Sequence, residues 1–281
     1  MGRYNRKFSM IEYIKDKYYW WLVNNKLKNF FSRIDQEKIL LFGYPKSGNT
    51  WVRFLLFNYM SLLKDKDISK TITYDKLNML QNNVMDRATT YINTSGFPLF
   101  YRTHKIYKKP YNLFDFKIFI HRNPLDTLVS AYYFYKNREI PFPNDSKHIR
   151  SSLNDIDFYV KYKIKEWMNF YFISVKKADY ILNYSDLKRN CFDEIKFLII
   201  ALGWDVNLSL IKKSVEISTF SSIKEMSINN NQQYGNAPKD GSFKGVFNRS
   251  GVDCQYVKEL KKETIEYVIN KFPEFTKLYS F

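Results

Sequence analysis

The chain has 281 residues, 45% of them hydrophobic and spread along its length, which excludes general disorder and allows one sizeable core. Its 45 Lys and Arg against 28 Asp and Glu give a formal charge of +17, a field that gathers anions without deciding between nucleic acid, a membrane surface and a polyanionic cofactor. Two cysteines, Cys191 and Cys254, exclude a disulfide framework or cysteine metal cluster and set a reducing cytoplasm as the expectation, and no apolar run reaches the roughly 18 residues of a spanning helix.

Ser9 followed by Glu12 is a capping-box signature that predicts an N-terminal helix to about Phe31. Its aromatic stretch Tyr18 to Val23 lies among lysines, so packing on the core is expected and peripheral membrane contact stays as the alternative. Residues 1–37 are read as a helical extension packed on a domain spanning 38–281. Lys38 to Gly43 is a short apolar strand ending at glycine, and Thr50 to Leu63 has helical length. A polar connection from Thr73 to Val84 is expected to be helical. Leu99 to Thr103 is the second strand, ending just before His104, and Phe116 to His121 is the third. Asn123 then supplies an N-cap and Pro124 a first-turn proline, with Asp126 near the positive helix end, for a helix to about Asn137.

Asp155 to Lys177 reads as a long helix, Tyr180 to Tyr184 as the fourth strand, and Ser185 with Asp186 as the next helix start. From Ser227 to Gly251 the chain turns polar and holds four of the nine glycines. A mobile lid and an ordinary surface loop both fit, with the basic core Phe243 to Arg249 favouring the lid. Strands alternating with helices predict a single-domain α/β fold, a central parallel sheet flanked by helices. Ligands bind beyond the carboxyl ends of such strands, where Gly43, His104, Arg122 and Tyr184 all fall.

The segment YPKSGNTW, Tyr44 to Trp51, joins the first strand to the first helix of that sheet. Such a loop turns free backbone N–H groups and the positive helix end toward an anion, with Gly48 allowing close approach and Lys46 adding charge. In a Walker A loop lysine follows the last glycine, whereas here it precedes Gly48 by two positions. That order argues against the rival P-loop nucleotide kinase, as does FKIFIH, which ends in histidine rather than a magnesium-holding aspartate. A basic nucleic-acid-binding protein is the other rival; no recognisable motif supports it, so no nucleic-acid partner is expected.

YPKSGNTW together with HRNPLDTLVSAYYFY at His121 to Tyr135 resembles the sulfotransferases that use 3'-phosphoadenosine-5'-phosphosulfate (PAPS). The resemblance implies a P-loop NTPase-like sulfotransferase fold, PAPS as sulfuryl donor and no metal. It implies that Lys46, Ser47, Gly48, Asn49 and Thr50 hold the 5'-phosphosulfate while Trp51 packs on the adenine. Arg122 and Ser130 would grip the 3'-phosphate, and Tyr184 and Ser221 would lie near the base. SFKGVFN at Ser242 to Asn248 is similar to the family's late RKGxxG loop, which would bring in Lys244 and Gly245, although Phe243 and Asn248 depart from it. His104, in RTHK, matches the segment carrying the catalytic histidine, and Arg102 replaces a lysine there. His121 is left to shape the site or fill space. The acceptor is expected to be a hydroxyl or amine of a small molecule or carbohydrate. The family's dimerisation pattern is not recognisable, so no oligomeric state is carried over.

Overall fold

The computed structural model describes residues 10–65, 72–73, 76–77, 80–83, 98–105, 110–137, 152–229 and 249–279. Helix α1 (Met10–Phe31) buries Val23, Leu27 and Phe31 along one face. The Phe31 ring meets Tyr101 and Phe114 edge-on, each at 5.4 Å, which fixes the helix to the core that follows.

Strand β1 (Lys38–Phe42) is apolar without interruption from Ile39 to Phe42 because both of its faces are covered there. Ile39 and Leu41 enter one hydrophobic cluster, Leu40 and Phe42 the other, as the two-residue period of a strand requires. Helix α2 (Asn49–Asp65) drives Val52, Leu55 and Leu56 into the Ile39 cluster. Phe42 stacks on Phe119 at 5.3 Å in the opposite cluster, and emptying that space with Phe42→Ala should cost about 3–5 kcal/mol.

The sheet is completed by β2 (Gln81–Asn83), β3 (Leu99–Thr103), β4 (Phe116–His121) and β5 (Tyr180–Asn183), in the order β2-β3-β1-β4-β5 with every pair parallel. Helix α3 (Pro124–Lys136), which leaves β4, buries Leu125, Leu128 and Val129 in the Phe42 cluster, on the face opposite α2. Neighbouring strands β1 and β4 thus send their helices to opposite sides, which opens a crevice between their carboxyl ends.

Three sequence expectations are corrected. The segment expected to be helical from Thr73 to Val84 is helical at Lys76 and Leu77, where Leu77 N donates to Thr73 O at 2.8 Å, but its end forms strand β2, which pairs Gln81 with Phe100 and Asn83 with Arg102. A Gln-Asn-Asn strand has no apolar alternation to read in the sequence. The fourth strand stops at Asn183, whose side chain accepts from Ser185 N at 3.0 Å, so Tyr184 opens helix α5 (Tyr184–Arg189) instead of closing the strand. Among the described residues the sheet therefore has five strands, one more than the four read from the sequence. Helix α4 (Ile156–Val175) starts at its Asp155 cap close to expectation. The remaining helices are α6 (Cys191–Ala201), α7 (Leu208–Ile217), α8 (Phe220–Asn229), α9 (Tyr256–Glu259) and α10 (Lys262–Lys271). The expected lid lies outside the described residues apart from its two ends. No helix among the described residues is long and apolar enough to cross a membrane.

Candidate functional site

The crevice is floored by the turn between β1 and α2. Gly48 adopts φ +108, and a Cβ there would stand 2.6 Å from the Tyr184 ring, so only glycine lets the turn press against that side chain. Lys46 also takes a left-handed φ of 72. The amides of Trp51 and Val52 turn back to Gly48 O at 3.0 and 3.3 Å, leaving the earlier α2 amides at the crevice. Ser47 Oγ and both polar atoms of the Asn49 amide are buried with no hydrogen-bond partner among the described residues. Burying such groups unpaired costs about 1–3 kcal/mol each, so they are suited to meet a polar ligand. Thr50 occupies the first turn of the same helix.

Tyr184 is where the separate sequence motifs meet. The Trp51 ring lies edge-on to it at 5.7 Å, and the Arg122 guanidinium sits 4.5 Å from its centroid. Trp51 Nε1 donates to Ser218 O at 2.8 Å, tying α2 to the turn before α8. Arg122 Nη2 donates to Val252 O at 2.6 Å and lies 3.6 Å from Asp126. Ser130 is half-buried on α3, one turn beyond Asp126, while the Arg122 fork is directed at Val252 and Asp126. Ser221 is exposed at the start of α8, its hydroxyl 3.0 Å from Thr219 Oγ1. Lys244 and Gly245 lie outside the described residues.

A basic residue not assigned from sequence joins the crevice just past that late loop. Arg249 stacks on Tyr133 at 4.1 Å, pairs with Glu259 at 2.9 Å and acts electrostatically on Lys46. It begins Arg249-Ser250-Gly251-Val252-Asp253-Cys254, in which Gly251 has φ +62 and Cys254 φ +58. Those two left-handed residues have the spacing of the two glycines in RKGxxG, with Arg249 at the arginine. The Phe220 ring stands 2.6 Å from where a Gly251 Cβ would be. Asp126 holds the turn by accepting from Cys254 N at 2.9 Å and Tyr256 N at 3.3 Å, and Lys188 Nζ reaches Gly251 O at 3.0 Å. In sequence this second match is masked by cysteine in place of the second glycine, and Lys244-Gly245 offers a more obvious pair nearby.

His104 lies at the end of β3 with Nδ1 2.9 Å from Gly43 O, at the end of β1. A carbonyl can only accept, so Nδ1 carries the proton and Nε2 keeps its lone pair. Crowding by protein, then the cations Arg102, Arg53 and Lys46, push its pKa down from 6.5 to about 4. Solvent still reaches the ring from the crevice. The downward direction is therefore what the site carries: a neutral imidazole at neutral pH. Desolvation, then Arg122 and Arg249, likewise bring the Lys46 ammonium down to about 7, and its Nζ sits 5.0 Å over Phe134. Cations that depress one another in this way are arranged for an anion. His121 belongs to the interior: buried beside Tyr171, it shares a short hydrogen bond with the Tyr279 hydroxyl.

The family described as Sulfotransferase domain matches this chain over residues 36–278. Rat Sulfotransferase 2A1 is 23% identical over 237 residues, covering 76% of this chain and 75% of its own. Flavonol 3-sulfotransferase of Flaveria bidentis is also 23% identical, over 244 residues, covering 74% and 73%. Among solved structures, mouse sulfotransferase SULT7A1 complexed with PAP aligns with a TM-score of 0.60 at 19% identity, covering 89% of this chain and 88% of its own. Retinol dehydratase in complex with androsterone and inactive cofactor PAP aligns at 0.58 and 14% identity, covering 91% and 86%.

Proposed function

The chain belongs to the sulfotransferase domain family, and from that premise we propose that it moves a sulfuryl group from PAPS to a hydroxyl or amine of a small-molecule acceptor. The observation that carries this reading is the pair Ser47 and Asn49, whose buried polar atoms lie unpartnered at the start of α2 between Lys46 and Trp51. A phosphosulfate presents acceptor oxygens, which the loop amides, the Ser47 hydroxyl, the Asn49 amide and the Thr50 hydroxyl can meet. Trp51 and Tyr184 offer ring faces for a base, with Ser221 at the rim. Arg122, Ser130 and Arg249 form the second anion grip, and Lys244 and Gly245 would extend it from the late segment. Among the described residues no cluster of His, Cys, Asp and Glu side chains could hold a metal ion.

PAPS supplies the activated sulfuryl group when bound; the chain supplies position and protons. In the proposed mechanism His104 Nε2 takes the acceptor's O–H proton as the new O–S bond forms. Gly43 O holds the ring in the tautomer that can do so. Lys46 and the loop N–H groups stabilise the negative charge left on the oxygen that parts from sulfur. Desolvation first, then Arg102 and Arg53 as further cations, keep His104 unprotonated before the transfer.

A relative named for a flavonol, and neighbours crystallised with androsterone and retinol, support a small-molecule acceptor over a carbohydrate. The test is incubation with sulfur-labelled PAPS and a panel of phenols, sterols, alcohols, amines and sugars. Labelled product that requires His104 and forms in the presence of a chelator supports the reading. Tight PAP binding with no labelled product across the panel would leave a binding protein, and no PAP binding would sink the proposal.

A further inference from the structure

Helix α1 has two contrasting faces. Val23, Leu27 and Phe31, four residues apart, are buried in the core, whereas Tyr18, Trp21 and Leu22 on the outer side are 60%, 52% and 36% exposed. The Tyr18 and Trp21 rings stack on each other at 6.0 Å instead of folding inward. At about 100° per residue these three side chains occupy an arc of about 100°. Exposed Lys17 and Lys28 border it on one side and exposed Lys26 on the other. Residues 17–31 contain no Asp or Glu.

Isolated exposed apolar residues need no explanation, but a contiguous aromatic and aliphatic ridge bordered by lysines has a specific physical use. Trp and Tyr favour the boundary between headgroups and acyl chains, while lysines lay their stems along apolar surface and keep their charge at anionic headgroups. We infer that the outer face of α1 docks on an anionic bilayer surface, with Tyr18, Trp21 and Leu22 entering the headgroup boundary and Lys17, Lys26 and Lys28 meeting anionic lipid. A two-fold contact with a second copy would set the same lysines against each other on a chain already carrying +17. A nucleic acid is less well matched by a convex ridge that includes an aliphatic side chain. The helix is not apolar enough to cross the membrane, so the association lies along the surface.

The test is flotation of the full chain with vesicles of phosphatidylcholine alone and of phosphatidylcholine with phosphatidylglycerol, at low and raised salt. The chain should float with the anionic vesicles, not with the neutral ones, and should be released by salt. Lys17→Gln/Lys26→Gln/Lys28→Gln should lower partition by on the order of 100-fold, at about fivefold per lysine. Tyr18→Ser/Trp21→Ser/Leu22→Ser should also abolish flotation. All six side chains are exposed, so unchanged thermal melting and PAP affinity should accompany both losses. No flotation by the parent chain, or unchanged flotation by both variants, overturns the inference. It is equally overturned if the Ser variant converts a dimer to a monomer, or if the face captures single-stranded RNA and ignores vesicles.

Discussion

His104 Nδ1 lies 2.9 Å from the Gly43 carbonyl oxygen, joining the last residue before the β1–α2 turn to the residue that follows β3. One hydrogen bond thereby sets the histidine's tautomer and its position relative to the anion loop. His104→Ala should lower turnover about 100-fold, the usual range for a lost general base, with PAP affinity kept. Calorimetric PAP titration beside steady-state rates checks both halves. Because crowding by protein and three cations hold the free enzyme's ring pKa well below 6.5, kcat/KM should also persist below pH 6 without the halving an ordinary histidine would cause. A His104→Ala enzyme of near-parental turnover removes the histidine from the mechanism.

Lys46 supplies a test that reports charge directly. Its pKa is pushed down to about 7 by desolvation, Arg122 and Arg249, and a bound polyanion must raise it again. Its contribution to affinity is thus fully present below about pH 7 and declines as pH rises above that toward the pKa of the complex. PAP binding at pH 8 should be accompanied by proton uptake, seen as a binding enthalpy that varies with the buffer's ionisation enthalpy. Lys46→Arg keeps the charge at every accessible pH and should abolish that uptake. Equal uptake in the two proteins would place the titrating group elsewhere.

Arg122 and Arg249 reach the late turn from opposite ends, one through Val252 O and the other at its start. Arg122→Ala should weaken PAP by about 2 kcal/mol, the lower range for truncating a buried charged partner. Arg249→Ala should act in the same direction, and both should leave affinity for a 3'-dephospho analogue nearly unchanged. Parent protein that binds PAP and the dephospho analogue equally tightly would show that neither arginine reads the 3'-phosphate.

The parts of this protein that the sequence displays are those whose chemistry is repeated along the chain. β1, β3 and β4 are legible because strands buried on both faces must be apolar, and α3 because Asn123 and Pro124 mark its start. YPKSGNTW is legible because an anion loop requires its glycine, lysine and hydroxyl in order. β2 escaped because Gln81, Asn82 and Asn83 carry no apolar alternation. Arg249 escaped because cysteine stands at the second glycine of its RKGxxG-like run and because its grouping with Lys46 and Tyr133 exists only in space. The Gly43–His104 contact spans 61 positions and uses a carbonyl that every residue possesses, so no side-chain pattern could announce it.

Cys254 separates the two registers of the late loop. It is exposed and held at φ +58, where a residue with a Cβ pays about 1 kcal/mol or more. If the loop runs from Arg249 to Cys254, Cys254→Gly relieves strain at a position built for glycine and should raise stability by up to about 1 kcal/mol with PAP affinity kept. Cys254→Val, branched at Cβ, should destabilise by more than that and weaken PAP, since Asp126 accepts the same residue's N–H. Urea unfolding and PAP titration of both variants decide it. Indifference to both substitutions would return the loop assignment to Lys244 and Gly245.

His121 should make the protein sensitive to acid. Burial lowers its folded-state pKa to about 4, while in the unfolded chain it titrates near 6.5. Between those values the unfolded chain binds the proton that the folded one refuses. The contribution is therefore complete above about pH 6.5 and is lost as pH falls toward 4, by about 3 kcal/mol for a shift of this size. His121→Phe keeps an aromatic ring beside Tyr171 and forfeits the hydrogen bond to Tyr279, so it should start lower at pH 7 yet fall less on acidification. Urea midpoints at pH 7, 6 and 5 measure the difference. Other titrating groups contribute to both proteins, which leaves the gap between their slopes to His121, and parallel slopes would show that the ring protonates as readily folded as unfolded.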